Sequence, residues 1–365
     1  FTGSLLIGHS TTGVISSATN NTGVGISALD ALTTGDYNVA LGYNAGTAIT
    51  TGVRNTIVGS LAGASLTTGN YNTALGYGAL FTEDEHGGNT AIGYQALVTQ
   101  DAGADAMNTV VGYQAGLNVS TGVQNVLIGA SAGDALTEGN YNVAVGRHAL
   151  STEDDHGRNV AVGFQALYAQ NAGVDAYNIA VGYNAGGSIS TGIQNVIVGG
   201  QAADALTTGG GNVAVGDRAL SAEDTGNYAV AIGYRALTAQ NYNGSSYNVA
   251  VGTDAGLAVS EGIKNTLIGG LAGSSLEGGH KNVAVGYSAL ATEDGDGRNV
   301  AIGHEALKTL NAGEDAYNVA VGYNAGISVS TGIKNTIIGG NAGDAMTSGH
   351  SSVAIGYEAL GAATI

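Results

Sequence analysis

The sequence predicts an all-β fold, a parallel β-solenoid (β-roll), and three observations lead there. A single glycine recurs from Gly8 to Gly356 in 21 copies. The steps are 17 residues except for 19 at Gly93→Gly112, Gly163→Gly182, Gly233→Gly252 and Gly303→Gly322, so four coils make a 70-residue block. The segment before each glycine is rich in β-branched and small apolar residues and only about five residues long, which leaves no place for a helix. Repetition at a fixed period of this kind marks a repeat architecture, in which each unit buries its apolar surface against its neighbours.

Each coil is read in order, with its glycine as position 0. Gly at −7 ends Thr-Gly or similar turns (Gly35, Gly52, Gly69, Gly122, Gly192, Gly332), where a positive φ is cheap. Position −4 is Asn in 18 of the 21 copies, among them Asn38, Asn55, Asn72, Asn89, Asn108 and Asn125, with Ser4, Ala229 and Ser352 the exceptions. Stacked coil on coil, these side chains are expected to hydrogen-bond as a ladder along the axis. Position −3 alternates between Val and Thr, which share shape and β-propensity.

Position −1 is always Leu, Val or Ile, as in Leu41, Val58, Leu75, Ile92 and Val111, and reads as core. Position −2 points the other way in a strand and is nearly always Ala or an aliphatic, so both faces are apolar. One solenoid has one interior, and the second face therefore calls for a partner. The bulky residues at −2, Ile57, Leu127, Ile197, Leu267 and Ile337, recur every 70 residues and are the expected subunit interface. The alternative is a wide, shallow coil whose Ala side faces water. Position +3 is Ala in every copy but Thr11, and +4 is mainly Gly in half the coils and Leu in the other half.

No break interrupts the repeat, so residues 1–365 read as one continuous domain, with blocks at about 34–103, 104–173, 174–243, 244–313 and a partial 314–365. At the ~4.8 Å strand spacing the stack would be a rod on the order of 100 Å. The chain opens on Phe1 rather than Met, and its first and last coils are ordinary ones. That pattern predicts a piece of a longer fibre, or a body that continues into another molecule by end-to-end stacking.

Composition narrows the functional classes. With no Cys there are neither disulfides nor thiolate metal sites. A net charge of −18, with only 10 Lys+Arg, argues against nucleic acid and anionic membranes, which need clustered cations. No apolar run approaches the ~20 residues of a spanning helix, so membrane insertion is not expected.

The phrase Ser352-Val353-Ala354-Ile355-Gly356, with Ala359 three residues on, resembles the repeat of YadA-like heads in trimeric autotransporter adhesins. Segments such as Thr67-Thr68-Gly69-Asn70-Tyr71-Asn72-Thr73-Ala74-Leu75-Gly76 are similar to repeats of phage and bacterial tail-fibre-domain proteins. The resemblance spans residues 4–360 and implies a left-handed parallel β-roll joined as a homotrimer, displayed outside the cell on a cell surface or virion. The 17- and 19-residue coils are longer than the adhesin-head repeat. Neither family supplies a catalytic residue to carry over.

The strongest polar constellation is the acidic connection of each block: Glu83-Asp84-Glu85-His86, Glu153-Asp154-Asp155-His156, Glu223-Asp224, and Glu293-Asp294 with Asp296. Oxygen ligands so grouped are calcium candidates, with Asp101, Asp105, Asp175 and Asp315 as neighbours. The spacing matches neither an EF-hand nor the calcium nonapeptide, and a solvated, solubilising edge is the preferred reading. His86 and His156 read as surface histidines rather than metal ligands. The tyrosines at +1 (Tyr43, Tyr77, Tyr94, Tyr113, Tyr183, Tyr234, Tyr287, Tyr323, Tyr357) read as packing over a neighbouring coil or at a subunit seam, with sugar stacking as the alternative.

Polar features copied block after block do not make the asymmetric cluster an enzyme needs, so no catalytic residue and no cofactor are expected. The expected function is a structural, adhesive extracellular fibre segment that binds itself and a cell-surface glycan or protein receptor. A self-polymerising surface filament is the alternative. Ice binding and polysaccharide degradation are more remote, the Thr array being broken by Glu138, Glu261 and Ser348. The third block departs from the others, with Asn241-Tyr242-Asn243-Gly244-Ser245 in place of Asn171 to Asp175, and with Ala229 in the ladder.

Overall fold

The computed structural model describes residues 4–7, 17–295 and 297–361, and among them every regular element is a strand of three residues. The chain divides into two compact units. The first, Phe1–Asn178, runs from β1 (Leu5–Ile7) to β10 (Val160–Val162), and the second, Ile179–Ile365, from β11 (Ile179–Val181) to β21 (Val353–Ile355). Within each unit every strand pairs in parallel with the next, giving a β-solenoid. The register is coil on coil: Val39 faces Thr56, Thr56 faces Thr73, and across a longer connection Thr90 faces Thr109.

The strand faces are the reverse of the sequence expectation. The middle residue of each strand, position −2, points into the coil, while −3 and −1 point out, as in the exposed-buried-exposed pattern of Val39–Leu41. Leu41, Leu75 and Ile128 at −1 are 48%, 44% and 38% exposed. Ile57, Leu127, Ile197, Leu267 and Ile337 are 0% exposed within a single chain, so they are core and cannot form the expected subunit interface.

The reason is volume. A 17-residue coil is narrow, and its inside is filled from −2, from Ala at +3 (Ala45, Ala62, Ala79), from +4, and from +7. In the coil of Ile57, +4 is Gly: a Cβ on Gly63 would lie 3.0 Å from Ile57 Cδ1 and 2.9 Å from Leu66 Cδ1. In the coil of Ala74, Leu80 at +4 fills the space and accepts a left-handed φ of 51° to do so. The repeat glycine itself sits where coils approach closely. A Cβ on Gly42, at φ +140°, would lie 2.6 Å from the carbonyl oxygen of Gly59.

One polar position completes the interior. The ladder asparagines are fully buried, and each Oδ1 accepts the backbone N–H of the next, from Asn38 to Asn55 (3.0 Å), Asn55 to Asn72 (2.9 Å) and Asn108 to Asn125 (2.8 Å). Their Nδ2 groups donate to a glycine carbonyl of the following turn, Asn38 to Gly52, Asn55 to Gly69 and Asn125 to Gly139, each at 2.8 Å. The side chain thus satisfies one donor and one acceptor of the backbone that the sheet leaves unpaired.

Replacing Asn125 by Ala would strand the Asn142 N–H and the Gly139 carbonyl, both buried. We expect a loss of about 2 kcal/mol or more, from two unsatisfied groups at roughly 1–3 kcal/mol each. Urea unfolding of Asn125→Ala against the parent checks it, and a change within about 0.5 kcal/mol would show that the ladder is not a stabilising element.

Candidate functional site

The acidic connections follow the strands by a fixed register that decides their character. Position +7 is apolar and buried in most coils: Leu32, Ile49, Leu66, Val119, Leu136 and Ile189. In the third coil of each block the same slot holds Glu83, Glu153, Glu223 or Glu293, and in the fourth Gln100, Gln170, Gln240 or Leu310. All eight are 0% exposed. The reading of the acidic edge as solvated therefore fails for these four glutamates, which occupy a core position. Asp84 and Asp154 are half-buried, and Glu85, Asp155 and Asp294 are exposed, while Asp296 lies outside the described residues.

The buried glutamines are held by the ladder. Asn108 Nδ2 donates to Gln100 Oε1 at 2.8 Å, Asn178 to Gln170 at 2.6 Å, and Asn248 to Gln240 at 2.9 Å. The glutamates differ from block to block. Glu223 is saturated: its Oε1 accepts the Gly226 N–H at 2.7 Å, and its Oε2 accepts from Gln240 Nε2 at 3.0 Å and the Tyr242 N–H at 3.3 Å. The irregular third block is thus a local repacking in which the substituted Tyr242 segment and the turn at Gly226 close around the acid.

In the first block, Gln100 Nε2 turns instead to the Ser120 carbonyl at 3.0 Å. Glu83 Oε1 accepts only the His86 N–H at 3.1 Å, and Oε2 has no hydrogen-bond partner. Neither oxygen of Glu153 completes a hydrogen bond, the N–H groups of His156 and Asp154 only partly offsetting its burial. Burial pushes Glu83 and Glu153 up from 4.5 to about 7.

Ligating atoms of Glu83, Asp84, His86 and Asp101 all lie within 4.8 Å of one another, as do those of Glu153, Asp154 and His156. His86 Nδ1 stands 3.8 Å from Glu83 Oε1. The other acids weighed as neighbours are used elsewhere. Asp105 Oδ1 accepts the Gly87 N–H at 2.9 Å, Asp175 accepts the Gly157 N–H at 3.1 Å and pairs with Arg158, and Asp315 pairs with Arg298.

The aromatic residues form separate surface ladders. Tyr77, Tyr94 and Tyr113 stack at centroid separations of 5.4 and 5.3 Å, and His304 is stacked between Tyr287 and Tyr323 at 5.5 and 5.1 Å. Tyr94 and His304 have both ring faces covered by these stacks. A second set alternates Tyr with Arg: the Arg54 guanidinium lies 5.7 and 5.4 Å from the Tyr37 and Tyr71 rings, and Arg158 lies 5.5 and 5.6 Å from Tyr141 and Tyr177. Such cation–π contacts at exposed sites contribute about 0.5–1 kcal/mol each.

Comparison with protein-family models and with curated proteins found no match. Among the described residues no helix is long and apolar enough to cross a membrane.

The raised acids set a pH dependence. Between 4.5 and about 7 the folded state keeps protons on Glu83 and Glu153 that the unfolded chain has released, so stability falls as pH rises through that window and levels off above it. With EDTA present, the urea midpoint of the Glu83→Gln, Glu153→Gln variant should fall less steeply across this window than that of the parent. Identical slopes would mean that these two carboxyls titrate normally.

Proposed function

We propose that the chain is a structural segment of an extracellular fibre, adhesin-like or tail-fibre-like, whose coils pack against copies of the same chain. The observation that carries this reading is the outward apolar face. Val39, Leu41, Leu75 and Ile128 in the first unit, and Ile179, Val181, Val196, Val198, Ile232, Ile268, Ile302 and Ile338 in the second, are large, apolar and exposed in a single chain. Isolated exposed aliphatics are ordinary, but a stripe repeated coil after coil indicates an interaction surface.

A second copy is the partner that fits. The stripe repeats at the strand spacing, and a surface that stays in step with it over many coils must carry the same spacing. Three copies are the number that the adhesin-head resemblance implies. The relocation of the apolar face from −2 to −1 and −3 keeps the argument for self-association and changes only the residues that make it. A non-catalytic role on a cell surface or virion is consistent with the copying of polar groups from block to block, and the Tyr–Arg ladders are the exposed surface offered to a receptor.

Solution mass tests the proposal. Leu41→Asp, Leu75→Asp and Ile128→Asp together should lower the mass seen by sedimentation while leaving the β circular dichroism intact, because the three side chains are outside the coil. Ile57→Asp should instead unfold the chain, since it buries an unpaired charge. A monomeric parent, or a triple variant with the parent's mass, would remove the basis of the reading.

A further inference from the structure

The core slot at +7 accepts a glutamate in two ways, and the difference points to a ligand. In the third block Glu223 receives three protein hydrogen bonds and its neighbour at the +10 position is Gly226. In the first two blocks that position is His86 or His156, and the glutamate is left with open oxygens: Oε2 of Glu83, and both oxygens of Glu153. The imidazole is open too. Nδ1 of His86 and of His156 is buried and has no hydrogen-bond partner, whereas Nδ1 of His280 and of His350 each accepts a backbone N–H, at 3.0 and 3.2 Å.

These open atoms face one another. A fully buried carboxylate, a half-buried Asp and an imidazole nitrogen lie within 4.8 Å of one another in each of these two blocks, and Asp101 from the next coil joins the first set. Two ligands on one ion at about 2.0–2.2 Å stand at most about 4.4 Å apart, so small side-chain rotations close the set around a cation. The main chain is already held. The Asp84 carbonyl accepts the Thr67 N–H and hydroxyl at 2.6 and 3.0 Å, and the His86 carbonyl accepts from Asn72 Nδ2 at 3.1 Å. Asp154 and His156 are held alike by Thr137 (2.7 Å) and Asn142 (3.3 Å).

We propose that Glu83, Asp84, His86 and Asp101 form a binding site for a divalent first-row transition-metal ion, and that Glu153, Asp154 and His156 form a second, weaker one. An imidazole donor among carboxylates suits zinc-like ions, whereas calcium takes oxygen ligands only. The first site has four protein ligands. The second has three, because the residue in register with Asp101 is Asn171. In the first site the ion ties the connection after one coil to that after the next. This inference is independent of self-association: the ligands are buried or half-buried parts of one chain, and the apolar stripe contributes none of them.

Zn²⁺ is the probe, titrated calorimetrically into the full chain after EDTA treatment and without added histidines. About two ions should bind per chain in two phases. His86→Asn should remove the tighter phase and His156→Asn the weaker, each affinity falling by about tenfold or more. Glu83→Gln should act as His86→Asn does, and the histidine variants guard against a glutamate variant that fails to fold. Co²⁺ in place of Zn²⁺ should give visible absorption that His86→Asn diminishes. Absence of Zn²⁺ binding, binding unchanged in both histidine variants, or Ca²⁺ binding that outcompetes Zn²⁺ and survives His86→Asn would each overturn the assignment.

Discussion

The narrowness of the coil interior is the constraint from which the rest follows. Successive coils lie in parallel register, so the same few positions point inward every time and must sum to nearly the same volume. Ile57 with Gly63 and Ala74 with Leu80 are two solutions of that sum. Interiors this closely packed do not tolerate a residue chosen for hydrophobicity alone, because an extra methylene forces strain on its neighbours. Alanine is therefore the commonest inward residue at −2, while −1, which faces outward, carries Leu, Val or Ile throughout.

Polar residues enter the interior only where they serve the backbone or each other. The asparagine ladder succeeds because one side chain supplies both an acceptor and a donor to the coil after it, at 2.8–3.0 Å throughout Asn38, Asn55 and Asn125. Gln100 at +7 is satisfied by the same ladder through Asn108. A carboxylate has no hydrogen to donate when ionised and so cannot copy the glutamine's pattern. Glu223 solves this by recruiting donors from three residues, and Glu83 does not.

Much of the architecture was legible in the sequence, since the glycine period places every strand and the Asn period places the ladder. The inward face was not. Alternation in a three-residue strand says that −2 opposes −1 and −3, but residue size points to the wrong side as the inside: Leu41 is outside and Ala40 inside. The fate of Glu83 was legible in principle. Position +7 is Leu, Ile, Val or Met in most of the other coils, from Leu32 to Met346, with Gln100, Gln170 and Gln240 the polar exceptions, and an acid in a mainly apolar column is a buried acid. Glu83, Asp84 and Glu85 form one acidic run in sequence but not in space, because adjacent residues in a coil point in different directions: Glu83 is buried, Asp84 half-buried and Glu85 exposed. What pattern alone does not reveal is the satisfaction of Glu223 against the open oxygens of Glu83, which depends on where the amide of Gln240 or Gln100 turns.

The two outward features of the molecule then have separate origins. The apolar stripe is a consequence of the narrow interior, which leaves the Leu, Val or Ile at −1 outside at every coil with the residue at −3 beside it, so its extent grows with the number of repeats. The Tyr and Arg ladders arise from stacking of identical positions one strand apart, which turns single exposed rings into columns such as Tyr77, Tyr94 and Tyr113. Both are collective properties of repetition, and a single substitution interrupts either of them at only one coil. The buried acids are the opposite case. Each is a local exception inside a uniform core, is answered differently in successive blocks, and is where one coil acquires a chemistry that its neighbours lack.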